Sequence, residues 1–178
     1  DDKSLTKIRW PWKRELYGKI FKYLGEYSKT KVIGFDAIFR SNDTENPDSD
    51  TNFYNDISTL RNFIAGFVPS YEKYSSQNNY DKEFKDKFSI NVEDRRENKM
   101  PSYYRSLSMY PQRYFDELSY SGSVMTTPDF DGYIRAIDQF VDYKGSLYPS
   151  LSLRMYEYLN PNTTFYVGDR YITTNMTD

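Results

Sequence analysis

The chain has 178 residues, enough for one domain with its own core, and its 38% hydrophobic share is carried largely by 12 Phe, 19 Tyr and 2 Trp. A net charge of -2 with both signs interspersed leaves no basic stripe for a nucleic acid backbone, so no nucleic acid partner is expected. The sequence has neither cysteine nor histidine, which excludes disulfides, thiol nucleophiles, Ser-His-Asp triads, two-histidine zinc sites and imidazole-ligated haem; carboxylate, lysine or tyrosine chemistry and hard-cation sites remain.

No run reaches the roughly 18 consecutive apolar residues of a membrane span, and no signal peptide is visible. The chain opens on DDKSL without a leader, and spans or an export signal are expected in flanking segments. Pro11 sits where a helix start tolerates proline, and Leu16, Ile20, Phe21 and Leu24 recur at helical spacing until Gly25 offers a stop. Residues 31–39, KVIGFDAIF, are a near-continuous apolar run expected as a strand buried on both faces, holding one charge, Asp36. The polar loop NDTENPDSD follows, with Asp50 or Thr51 as the cap of a second helix whose Phe53, Ile57 and Leu60 share a face. NFIAGFV reads as another strand, ended by Pro69.

Residues 71–101 are rich in Ser, Asn, Lys, Asp and Tyr and are expected as a polar surface insertion with one short helix near Phe84 and Phe88. Beyond them the pattern predicts a helix over 111–118, a strand over 123–127 and a longer strand over 133–143. A turn at Lys144-Gly145 then leads into a fourth helix outlined by Leu151, Met155, Tyr158 and Leu159. Residues 165–167 and 171–173 are expected to close as a hairpin around Gly168-Asp169. Strands alternating with helices predict an α/β domain over 1–178: a mixed, mainly parallel sheet with helices on both faces and an antiparallel hairpin in the C-terminal half.

The stretch TPDFDGYIRAID places Asp129, Asp131, Gly132, Ile134 and Asp138 on calcium-loop positions three, five, six, eight and twelve. A calcium hand needs a helix on each side, whereas the flanks here are β-like, and Asp-Gly between such runs is a strong hairpin signal. The hairpin is therefore the favoured reading, with Asp129, Asp131 and Asp138 as the minority metal ligands; no cofactor is expected. Asp43, Glu45, Asp48 and Asp50 form a second acidic loop, read as a solvated loop with a helix cap rather than a cation site. Asp36 inside an apolar strand must be paired or functional if buried, and Arg14 or another arginine is the simplest partner. Trp10 and Trp12 flank Pro11 at a helix start, where packing is favoured over a ligand wall.

Taken in order, DDKSL, WPWKR, KVIGFDAIF with an acidic residue opening the next helix, SGSVMTT, PDFDGYIRAIDQFV and YPSLSLRMYEYL resemble the second type of CHASE domain over most of the chain except residues 71–101. The resemblance implies an extracytoplasmic sensory domain, membrane-anchored in a bacterial receptor, that passes an unknown small-molecule or protein signal through flanking transmembrane helices to a cytoplasmic cyclase, diguanylate cyclase or kinase. It implies no catalytic motif, so any catalysis would lie in a separate domain, and it leaves room for a homodimer. It places a hydrophobic strand ahead of the acidic pair that Asp1 and Asp2 match, so the sheet here is expected to be one strand short. The positions carrying it, Asp1, Trp10, Trp12, Arg14, Asp36, Asp131 and Arg135, serve either fold or sensing. Two other classes stay open on the residues alone: a carboxylate hydrolase using Asp36 with a second acid, and a surface interaction module using the tyrosine-rich segment.

Overall fold

A computed structural model of the chain describes residues 11–71, 80–90, 92–94, 104, 106–107, 112–168 and 172–176. The first helix, α1 (Arg14–Lys22), continues as one π-helical turn, Tyr23–Tyr27. It starts three residues after Pro11, and the stop expected at Gly25 does not occur. A Cβ there would stand 2.6 Å from Leu60, so Gly25 serves close packing instead. Helix α2 (Pro47–Ser58) begins with proline at its first position, ahead of the expected cap, and buries Phe53, Tyr54 and Ile57. The two helices pack along their length: the Ser49 hydroxyl of α2 accepts from the Glu15 amide in the first turn of α1, one of the donors a helix start leaves unmet.

Strand β1 (Ile33–Phe35) is shorter than the apolar run that encodes it and pairs in parallel with β2 (Phe63–Phe67), every residue of which is buried. β2 pairs in parallel on its other side with β6 (Tyr120–Ser123), giving the order β1-β2-β6. The strand expected over 123–127 thus lies three residues earlier, because its buried residues are Ser121, Gly122 and Ser123 rather than the apolar ones that follow. One face of this sheet is aromatic. Phe63 lies against Phe21 of α1 at 5.1 Å, and Phe67 meets Phe84 of α3 (Tyr80–Phe88) at 5.2 Å between ring centroids. Phe53 of α2 in turn touches Tyr114 of α4 (Gln112–Glu117) at 5.5 Å. The surface character expected for 71–101 therefore does not extend to Phe84 and Phe88, which belong to the main core. Their i,i+4 spacing puts both on one face of α3.

The opposite face is glycine-lined and receives α5 (Leu151–Leu159). A Cβ on Gly122 would lie 2.6 Å from the Leu151 Cα, and one on Gly34 would collide with the Met155 sulfur. Bare backbone on the two outer strands, β1 and β6, lets this helix lie close. Helices therefore cover both faces, the mixed α/β arrangement that the alternation of elements predicts. β7 (Phe140–Tyr143) and β8 (Ser146–Pro149) form the C-terminal antiparallel hairpin, turning through Lys144 and Gly145, whose φ values of 50° and 75° are left-handed. A parallel bridge from Ser150 to Ser123 attaches the end of β8 beside β6.

A second sheet pairs β9 (Thr163–Val167) in parallel with β4 (Val92–Asp94) and antiparallel with β10 (Ile172–Met176), the closing hairpin expected from sequence; β3 (Pro69–Ser70) and β5 (Ser106–Leu107) form a short antiparallel pair. Residues 133–138, expected in a long strand, have no regular structure and are exposed; β7 starts only at Phe140. Among the described residues no helix is long and apolar enough to cross a membrane.

Candidate functional site

At the carboxyl ends of β1 and β6, where α5 begins, the fold leaves an open cleft of about 230 Å³. This is where open parallel sheets commonly bind ligands, because neighbouring loops diverge there. β1 delivers Asp36 to it, one residue beyond the strand. β6 and the chain after it deliver Ser123, Val124, Met125 and Thr126, and the start of α5 brings Ser150, Leu151, Ser152 and Met155. The exposed segment before β7 adds Ile137.

Local sequence explains these placements. Ser150 follows Pro149 in extended conformation and its hydroxyl accepts from the Leu153 amide at 3.2 Å, which starts α5 beside the cleft. The same hydroxyl reaches the Gln139 side chain at 3.1 Å and the Ser152 hydroxyl at 3.0 Å, tying the segment before β7 to the helix start. The Ser123 hydroxyl accepts from the Met125 amide at 3.2 Å, bending the chain as it leaves the sheet. Ser123 and Ser150 are both buried, whereas Asp36 is exposed at the mouth and has no hydrogen-bond or ionic partner among the described residues. The buried carboxylate expected at Asp36 is thus an accessible one: β1 ends at Phe35, and Asp36 is turned outward while Ala37, Ile38 and Phe39 after it still pack against the core.

Arg14, proposed as its neutralising partner, is engaged elsewhere. Its guanidinium donates at 2.7 Å to Asp50, whose side chain is 6% exposed, and at 2.7 Å to the Ser41 carbonyl, while lying 4.4 Å from the Phe39 ring centroid. The other Asp50 oxygen accepts from the Asp43 amide at 2.6 Å. Asp50 is therefore neither helix cap nor cation ligand but the acidic half of a buried pin joining α1, α2 and the loop between β1 and α2. Asp43 accepts from the amides of Glu45 and Asn46, and the Asn46 bond leads in holding its carboxyl below the usual range.

Residues 129–135 form a second charged unit. The turn closes through the Asp129 amide to the Tyr133 carbonyl at 2.8 Å, with Gly132 at φ 83°. No strands flank it, so the expected Asp-Gly hairpin is a tight turn without a ladder. Arg135 donates to Asp129 at 2.9 Å and to both Asp131 oxygens at 2.8 and 2.7 Å. That forked bond holds the Asp131 carboxyl below its ordinary value and raises the Arg135 guanidinium above its own. Two of the three candidate calcium ligands, Asp129 and Asp131, are thus occupied by a guanidinium, and Arg135 serves them rather than a buried acid. Asp138 is exposed beyond the turn; its charge adds a little to the upward push on the Tyr104 hydroxyl, which comes first from burial and then from the Tyr71 hydrogen bond. Among the described residues no group of three acidic side chains is arranged to hold a metal ion.

Of the positions singled out by sequence, only Asp36 lines the cleft. Trp12 is half-buried and packs 5.7 Å from Tyr17, while Asp1 and Trp10 lie outside the described residues. The serines and methionines of the cleft carry no sequence signal of their own, apart from the Pro-Ser-Leu helix start that makes Ser150 legible as a cap. A family model described as CHASE2 domain matches residues 1–176. No curated protein and no solved structure matches.

Proposed function

Since the chain belongs to the CHASE2 family of extracytoplasmic sensory domains, we propose that it is the input domain of a transmembrane receptor and that the cleft between β1, β6 and α5 takes up its signal. The match across the whole chain carries the sensory role. The cleft supports the location, since it joins the ends of two sheet strands to a helix start. A ligand bridging these elements favours whichever state holds them closer, and it shifts output only by its differential affinity for the two states. The output module, a cyclase, diguanylate cyclase or kinase on the cytoplasmic side, belongs to the same proposal, as does membrane anchoring. A hydrolase built on Asp36 has less support, because among the described residues no second carboxylate lines the cleft.

The test is a topology and output experiment on the full-length receptor. Alkaline phosphatase joined after Asp178 is expected to be active and β-galactosidase inactive, and Leu151→Trp, which fills the cleft, is expected to change second-messenger or phosphotransfer output. Active β-galactosidase at that junction would overturn the reading.

A further inference from the structure

Among the described residues the cleft has one charge and it is negative. Among its described lining residues Asp36 is the sole ionisable side chain; Arg135, two residues before Ile137, is held by Asp129 and Asp131, and Arg154, next to Met155, is buried against Glu157. An anionic ligand would therefore meet Asp36 with no lysine or arginine in the lining to offset it. The remaining walls are Val124, Met125, Ile137, Leu151 and Met155, with serine and threonine hydroxyls between them. Such a surface takes a compact aliphatic body, and the two thioethers adapt to its shape. No aromatic ring among the described residues lines the cleft, so they supply no cage of the kind that quaternary ammonium groups require. A primary ammonium instead has three protons to donate, which match the Asp36 carboxylate and nearby serine oxygens.

We infer that this cleft binds a small aliphatic primary amine, with its ammonium on Asp36 and its carbon chain against Met125, Met155 and Ile137. The volume of about 230 Å³ falls below that of drug-sized pockets and suits a ligand of only a few carbons. This inference rests on the sensory reading for its biological use but not for its chemistry.

The experiment titrates the full chain, carrying carbon-13 methyl groups on its five methionines, with n-butylammonium, butyrate and tetramethylammonium. n-Butylammonium is expected to shift the Met125 and Met155 resonances, and the other two compounds to leave them in place. Asp36→Asn is expected to weaken n-butylammonium binding by about tenfold or more, the scale of a lost charge-assisted hydrogen bond, while Asp48→Asn, outside the cleft, leaves it unchanged. No shift with n-butylammonium, equal binding of butyrate or tetramethylammonium, or full affinity in Asp36→Asn would each overturn the inference. None of those results touches the topology experiment. Conversely, amine binding that leaves receptor output unchanged would count against the sensory use of the cleft and not against its ligand class.

Discussion

Arg14 and Asp50 show how a single ion pair can be structural in a chain full of surface charge. Their side chains are 16% and 6% exposed, so the pair sits where water cannot replace a lost partner. Removing the arginine leaves Asp50 with the Asp43 amide but no countercharge, and it also strips a cation from the Phe39 face. Arg14→Ala is therefore expected to lower unfolding free energy by about 3 kcal/mol in urea titration. A change below about 0.5 kcal/mol would place the pair among ordinary surface bridges. Asp36 makes the opposite point at the same scale. Its position inside an apolar run suggested burial, yet β1 ends one residue before it and its side chain is exposed, and exposure rather than pairing makes it available to a ligand.

At the level of elements, glycine has two distinct uses whose costs can be separated. Gly145 turns the β7–β8 hairpin with φ 75°, and a Cβ there would meet nothing. Gly145→Ala should cost about 1 kcal/mol through backbone strain alone. Gly122 has an ordinary strand conformation, but an added Cβ would press on Leu151 and on the Ser150 carbonyl at 2.6 to 2.8 Å. That contact is with backbone, so α5 itself must shift, and Gly122→Ala should cost about 2–3 kcal/mol. Equilibrium unfolding of the two variants should give that order; the reverse would mean that α5 does not lie on the sheet as described. The turn at Lys144-Gly145 was legible because turn chemistry is local, but the strand Ser146–Pro149 that makes it a hairpin was not. The strand boundaries at 123 and 133–138 were not, because β-branched and aromatic residues are equally at home in an exposed loop when no neighbouring strand pairs with them.

Over the whole molecule, Arg154 joins parts distant in sequence. Buried at 5% exposure, it donates to the Ser121 carbonyl at 3.1 Å and to the Phe88 carbonyl, and it pairs with Glu157 at 2.6 Å. One side chain thus links α5, β6 and the end of α3. Burial pulls its guanidinium below the ordinary arginine value, and Glu157 opposes that pull. Arg154→Met should destabilise by about 2–4 kcal/mol, since two buried carbonyls lose their donor. Amide hydrogen exchange should then accelerate in α3 and β6 together. Acceleration confined to α5 would show that the arginine serves only its own helix.

What the sequence determined by itself was whatever depends on local pattern. Helical spacing located α1, α2 and α5, turn chemistry located the bend at Lys144-Gly145 and the closing β9–β10 hairpin, and the ordered segments pointed to the CHASE2 family that the match over residues 1–176 establishes. The lack of cysteine and histidine likewise fixed which chemistries a site could use. The tertiary structure alone decided which charges are buried and which residues meet in the cleft. Burial is set by where a strand stops and what packs over it, so Asp36 and Asp50 exchanged the roles their neighbours suggested. The cleft joins residues 36, 123–126, 137 and 150–155, and only parallel pairing of β1, β2 and β6 under α5 brings those segments together.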